Sequence, residues 1–516
     1  MGGRLDAHVL IMQDVDRSAT QSAPLPQLNG TYSTSLLHEV PRARSHQTLP
    51  HVRSVPLLDT GIAVKPPQAQ QFWFSRAAIF CFYSAFFVQR AIVAEYILMR
   101  SCAATFGDAA CKADPAHKQD DHVQDVAAVH TTWITTSTYV LSIVTTACLT
   151  AASDTCGRKP VLYAAAGALF LSAVGNVLIS VMEWDDWWLV VPALLSGTCG
   201  SFATFNAVMF AFTADICTDA KTRSHAFSIL EGSIFLGGTF APVLGGYLLQ
   251  AVSGAAAFAL TCALFGASIL FISLLRESVL GASFSELSSR SFCCMALSSL
   301  RLLGYTGGDR GGSSICFICI VFVLCFAATT GVSVIIPLFT AKRLGMGPES
   351  YSLLFAFNYG SVALTLLVLL PTVLASSRGS PLSVLVWGIR FGALMQCASV
   401  LFTVVTSTWQ VFVIYAAFSL SAPIFPTVRA LLSALVGSDE QGKALGLVAI
   451  IEGGSATLDP IAWGYLYDAT VASMPSFTFF VICGTSCLGF LGSLCLRTPR
   501  PRQEQAFGPL TVPVEE

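Results

Sequence analysis

The chain is 516 residues long, 54% hydrophobic and only 11% charged, with a formal net charge of −2. Soluble domains carry roughly 25% charged residues, and a soluble fold could not bury this much apolar surface and still cover itself with polar groups. Composition therefore excludes a water-soluble globular enzyme and places the chain in a bilayer, with no nucleic acid as a partner.

Residues 1–73 are polar, with scattered Pro, Ser, Gln and His and no apolar period, and predict a disordered cytosolic tail. Twelve continuous apolar runs follow, at 77–98, 128–150, 160–182, 188–213, 225–251, 255–275, 314–339, 351–375, 382–405, 409–435, 444–467 and 475–496. Each comes close to or exceeds the roughly 20 residues that cross the hydrocarbon as a helix. Lipid offers the backbone no partner outside the helix itself, and the alternation of barrel strands is absent. The expected fold is an all-α membrane protein with six spans in residues 74–275, a cytosolic linker at 276–313, six spans in 314–497 and a cytosolic tail at 498–516. The Gly-rich stretch "GYTGGDRGGSS" in the linker lacks the spacing of a phosphate-binding loop and is expected to be flexible.

Basic residues divide unevenly between the two sides. With a cytosolic N-terminus, the inner loops and C-terminal tail hold Arg158, Lys159, Lys221, Arg223, Arg276, Arg290, Arg301, Arg310, Arg378, Lys443, Arg497, Arg500 and Arg502. The outer loops hold Arg100, Lys112, Lys118, Lys342 and Arg343. This is the positive-inside asymmetry, and it predicts both termini in the cytosol. Of the 17 cysteines, most fall inside spans as small apolar residues. Cys102 and Cys111 share an outer loop and can pair in an oxidising compartment; no metal site is expected.

The two halves are related. "TDAKTRSHAFSILEG" before the fifth span compares with "SDEQGKALGLVAIIEG" before the eleventh, and "GGYL" at 245–248 with "WGYL" at 463–466. Six plus six helices of one hand predict a pseudo-two-fold axis along the membrane normal.

Between the second and third spans, "DTCGRKP" places Asp154, Gly157, Arg158 and Lys159 on the D-x-x-G-R-[RK] loop of the major facilitator superfamily, which roughly residues 74–497 resemble. The fifth span is similar to the superfamily's G-P-x-x-G-G stretch, written here "APVLGG". Ala241 replaces the first Gly, ahead of Pro242, Gly245 and Gly246, while Gly237 fits the antiporter form and Ser228 does not. The Arg often found in the superfamily's fourth span is missing. "RSHAFSILEG" resembles the branch that holds the proton-coupled folate transporter and drug-resistance-type carriers, and the second half looks like fungal members of unassigned substrate. In that branch a Glu at the place of Glu231 serves proton coupling.

The chemistry-bearing residues are the acids and arginines within spans. By helical rise Glu231 lies about 12 Å past Arg223 and Glu452 about 14 Å past Lys443. A charge at the bilayer centre costs about 2.5–3.5 kcal/mol on insertion scales, and burial favours a neutral carboxyl. Two readings stay open for each acid: a proton site facing a central cavity, or a structural acid paired with Arg. Asp459 lies seven residues after Glu452 on the same face and joins it as a proton-coupling candidate, and Asp459-Pro460 is expected to break the helix. Gly238, Pro242 and Gly245 share Glu231's stripe, and with Gly246 they are expected to bring helices close.

Arg90, Arg390 and Arg429 are candidate cavity residues with Asn206, Arg429 foremost as an anion contact or as a partner for Glu452. Asp154, Gly157, Arg158, Lys159 and Asp215 are expected to form a latch that holds one conformation. His225 sits at a helix start, which leaves proton handling to carboxylates. No nucleotide or catalytic motif is present and no cofactor is expected. The expected function is a monomeric secondary active transporter that moves a small solute by alternating access with protons, in the plasma membrane or a vacuolar or endosomal membrane. Symport and antiport both stay open, and a transporter-shaped membrane sensor or scaffold is the alternative.

Overall fold

The structure is a computed structural model that describes residues 66–498, apart from 115–116, 118–119, 218, 280–291, 305–312 and 347. The tails beyond these bounds and most of the Gly-rich linker stretch lie outside the described residues. Helix begins at Pro66, so the end of the stretch read as tail is already helical. Proline is well placed there, because the first turn has no use for its missing N–H.

Among the described residues, twelve helices are long and apolar enough to cross a membrane. In the first half they are Ala69–Phe106, His122–Cys156, Arg158–Met182, Asp186–Ile216, Ala220–Ala251 and Gly254–Leu274. In the second half they are Ile315–Leu344, Leu353–Ser376, Pro381–Val404, Thr408–Leu435, Ser438–Val471 and Phe477–Leu494. They form two pseudo-symmetric six-helix bundles. Large apolar side chains such as Leu171, Phe240, Leu270 and Ile320 are exposed, as lipid-facing residues must be.

Three spans depart from the expected shape. The fourth is broken at Cys199–Gly200, where Gly200 has φ +73°, a left-handed conformation that glycine adopts without steric cost. Thr145 and Thr146 from the second span donate to the carbonyls of Gly197 and Gly200, at 2.8 and 3.2 Å, and satisfy backbone oxygens at or next to the break. The tenth span is broken in the corresponding place, between Ser419 and Ile424, ahead of Pro426. The eleventh span does not break at Asp459-Pro460: a single helix runs Gln441–Val471 with Pro460 inside it. Proline costs that helix only the bond to the Ala456 carbonyl, a loss that membrane helices tolerate. The linker is also not wholly loop, since Phe292–Arg301 is a helix that packs on the second and eleventh spans.

The two halves meet along the second span against the eleventh, the fifth against the eighth and tenth, and the fourth against the eleventh. At the end of the bundle that carries Arg158, one continuous apolar core runs through both halves, with Phe205, Phe212 and Phe227 packed in the same cluster as Leu432, Leu445 and Val448. At the opposite end, which carries Cys102, the core divides. Val88, Ile92 and Phe258 belong to a cluster of the first half, and Ile335, Phe402 and Phe479 to a separate cluster of the second. The halves are joined at the Arg158 end and parted at the Cys102 end.

Small residues explain part of the close packing. A side-chain carbon added at Gly245 would stand 2.7 Å from Val88, and at Gly238 3.0 Å from Phe87 and Tyr359, whereas at Gly246 it would meet nothing within 4 Å. Gly245→Val is therefore expected to destabilise the protein by about 1–3 kcal/mol and Gly246→Val by less than about 0.5 kcal/mol. Thermal unfolding of both variants in detergent checks this contrast, and equal effects would contradict it.

Candidate functional site

Glu231 on the fifth span, Arg429 on the tenth and Glu452 on the eleventh converge on one point. The Arg429 guanidinium donates through Nη1 to Glu231 Oε2 and through Nη2 to Glu452 Oε1. All three side chains are buried, at 4% exposure for Arg429 and 7% for each glutamate. Asn206 on the fourth span donates from Nδ2 to Glu452 Oε2 at 3.4 Å, and its own buried Oδ1 has no partner. The Phe210 ring lies 4.6 Å from Arg429 Cζ and shields the cation with its π-face. Local structure sets these positions. Asn206 lies six residues past the break at Gly200 and Arg429 six past Pro423, the last residue of the tenth-span break.

Charge counting sets what this group can do. One guanidinium balances one carboxylate, so the group carries a net charge of −1 when both acids are ionised. Glu231 belongs to the first half, Arg429 and Glu452 to the second. The ion bridge from Arg429 to Glu231 therefore crosses between the halves, and the one to Glu452 does not.

The structure disperses the other acid and arginine candidates. Asp459 is half-buried and accepts from Thr330 Oγ1 at 2.5 Å, about 10 Å along the eleventh span from Glu452 toward the Cys102 end. Arg90 donates from Nη1 to Tyr139 Oη at 2.5 Å and lies beside a cavity of about 180 Å³ in the first half. Arg390 sits elsewhere, donating to the carbonyls of Ser493, Leu494 and Leu496 at 3.1–3.2 Å, where it caps the end of the twelfth span. His130, near the start of the second span, packs edge-on to the Trp187 ring at 4.4 Å and has a buried, unpartnered Nδ1. It is at the Cys102 end. Cys102 and Cys111 are joined by a disulfide with Cα atoms 6.1 Å apart. Among the described residues the thiols of Cys397, Cys483 and Cys487 lie within 4.8 Å of one another, at the contact of the ninth and twelfth spans, and are the one grouping with metal-ligand spacing.

At the Arg158 end the loop residues form a connected network. Buried Arg158 donates from Nη1 to Asp154 at 2.7 Å and to Ser153 at 2.8 Å, and from Nε to Asp215 at 3.0 Å. Asp154 also accepts the backbone N–H of Gly442 at 2.7 Å and of Lys443 at 3.1 Å, which ties it to the first turn of the eleventh span. A helix N-terminus favours a carboxylate through its unpaired N–H groups and dipole. Lys159 points the other way, donating from Nζ to the Leu275 carbonyl at 2.5 Å.

Two members were not singled out from the sequence. Glu277 accepts the backbone N–H groups of Arg158 and Lys159 at 2.8 and 2.9 Å, and an added carbon at Gly157 (φ +98°) would lie 2.8 Å from its carboxyl oxygen. Gly442 is the second, where an added carbon would lie 2.4 Å from the Thr150 carbonyl oxygen. The available signals were a lone acid after the sixth span and a Gly at a helix start.

The fold is that of known carriers. The structure of the human organic anion transporter MFSD10 (TETRAN) superposes with a TM-score of 0.65 at 16% identity, covering 83% of this chain and all of that one. The proton:xylose symporter XylE superposes with a TM-score of 0.57 at 13% identity, covering 82% and 94%. In sequence, the proton-coupled folate transporter of Rattus norvegicus is 24% identical over 405 residues, 76% of this chain and 84% of the relative. The lysosomal proton-coupled steroid conjugate and bile acid symporter SLC46A3 of Gallus gallus is 23% identical over 393 residues, 74% and 82%. Twelve spans in two bundles, with a buried ion group between them, define a secondary active membrane transporter. Residues 77–301 and 318–512 match the Major Facilitator Superfamily, and the chain belongs to it.

Removing the shared cation strands two buried carboxylates. Arg429→Gln is expected to cost about 3–5 kcal/mol, the penalty for breaking a buried pair from one side, and the triple variant with Glu231→Gln and Glu452→Gln is expected to recover most of it. Denaturation of the variants in detergent reads this, and a single variant as stable as wild type would contradict the arrangement.

Proposed function

We propose that the chain is a proton-coupled symporter of a small organic anion, with Glu231 as the coupling carboxyl. The observation that carries this reading is one guanidinium shared by carboxylates from opposite halves. A proton on Glu231 dissolves the bridge that crosses between the halves, while Arg429 stays paired with Glu452. The halves are then free to rock. Asp459, nearer the Cys102 end on the same span as Glu452, passes protons toward the group. The names of the relatives, which give proton coupling and folate, steroid conjugates or bile acids as cargo, support both the coupling and the symport direction.

The positive-inside asymmetry supports a cytosolic Arg158 end and cytosolic termini. The conformation is then outward-facing: joined inside by Asp154, Arg158 and the eleventh span, parted outside. Asp154 and Arg158 hold this state and release on the inward swing. Arg223 adds to the closure by donating to Ser433 Oγ at 3.1 Å across the halves. The protein acts as a monomer, in the plasma membrane or a vacuolar or endosomal membrane.

Arg90 supports an anionic solute. Its cavity carries this one cation and no carboxylate, with Gln89, Asn176, Thr135 and Ser196 as polar lining and Phe86 and Ile134 as apolar walls. Arg429 is already occupied by two carboxylates, so Arg90 is the better-placed contact. A cavity of about 150 Å³ holds benzene, so about 180 Å³ has room for a small ring beside the Arg90 guanidinium.

In proteoliposomes, with a solute found by screening labelled organic anions at two external pH values, wild-type protein is expected to accumulate solute when the outside is acidic. Glu231→Gln is expected to lose gradient-driven accumulation and to keep solute exchange. Full accumulation by Glu231→Gln would remove the coupling role. Arg90→Gln is expected to raise KM with little change in kcat, and Arg90→Lys to restore part of the loss; an unchanged KM would move the solute site elsewhere.

A further inference from the structure

The ninth and twelfth spans end at different levels on the Arg158 side. Arg390 caps the last turn of the twelfth span, yet the ninth span extends nine residues further, to Pro381, a length of about 14 Å. That overhang leaves a notch beside it that the twelfth span does not fill. The notch is a cavity of about 390 Å³, lined by Ser383, Trp387, Arg390, Arg497 and Thr498 over a floor of Val386 and Leu496.

The lining has two guanidinium groups and no carboxylate. Arg390 is held firmly: its Nε and Nη2 donate to three carbonyls, and its Cζ lies 5.1 Å from the Trp387 ring. Those bonds leave Nη1 for a ligand on an orientation that is already fixed, so little side-chain freedom is lost on binding. The backbone of Arg497 is fixed as well, since its N–H donates to Ser313 Oγ at 2.8 Å. Trp387 is 64% exposed, about two turns from the Pro381 end of its span, and indole rings favour the membrane–water interface. Arg500 and Arg502 follow in the sequence. The cytoplasmic leaflet is the one rich in anionic lipid, and basic pockets between spans on that side suit its headgroups.

We propose that this notch binds the headgroup of an anionic phospholipid, with Arg390 Nη1 and Arg497 on the phosphate and Trp387 beside the glycerol backbone. The proposal uses the cytosolic assignment of the Arg158 end but not the proton triad, and it stands if proton coupling fails.

The test is native mass spectrometry of the full chain released from vesicles of phosphatidylglycerol mixed with phosphatidylcholine. Wild type is expected to retain phosphatidylglycerol in preference to phosphatidylcholine. Arg497→Gln is expected to weaken retention about fivefold, and Arg390→Gln with Arg497→Gln about thirtyfold. Arg390→Lys keeps the charge at the cap and is expected to lie between wild type and the double variant, with thermal unfolding showing that each variant is folded. Inorganic phosphate added as competitor separates a lipid site from a simple anion site, and it is expected to leave the lipid in place. Equal retention of both lipids, retention unchanged in the double variant, or full displacement by inorganic phosphate would each overturn the proposal.

Discussion

One buried cation shared by two buried acids is the constraint on which the rest of this protein turns. An ion taken out of water is costly unless it is paired, and a pair is strongly destabilised when one partner is lost. Arg429 meets Glu231 across the line between the halves and Glu452 within its own half. The group therefore holds the two bundles together at the same place where it carries one acid more than its cation can balance. The same three side chains tie the halves together and form the group on which the proposed proton coupling rests.

The pseudo-symmetry of the chain explains how this arose in physical terms. The fourth and tenth spans break in corresponding places, and Asn206 and Arg429 each follow the break at the same interval. Glu231 and Glu452 correspond in the repeat as well. The two halves thus supply equivalent acids, but an amide on one side and a guanidinium on the other. A fully symmetric pair of arginines would neutralise both acids. The network at the Arg158 end repeats the theme: buried Asp154 is shared between Arg158 of its own half and the first turn of the eleventh span of the other.

Much of this was legible in the residues. Twelve apolar runs, the D-x-x-G-R-K loop and the acid at mid-span in both halves define the fold and bring Glu231, Glu452, Arg158 and Asp215 forward. What the residues did not convey were distances between distant spans. Arg390 and Arg429 look alike as arginines in apolar runs, and only the fold places one on a helix end and the other on the acids. Proline at 460 reads as a breaker from local rules, but a long membrane helix supported by neighbours keeps going. Glu277 and Gly442 carry only weak local signals, and the fold is what brings them against the Arg158 loop and the second span. Gly245 and Gly246 are adjacent in sequence, and one faces a packed helix while the other faces open space.

The central claim is that protonation of Glu231, beside the shared cation, lets the halves separate at the Arg158 end. The most direct measurement is the spin-label distance between the Arg158-end tips of the second and eleventh spans, in vesicles, across a pH series. The account predicts two populations of distance, with the longer one growing as pH falls and the series becoming flat when Glu231 is replaced by Gln. A distance distribution that does not change with pH in the wild-type protein would contradict it.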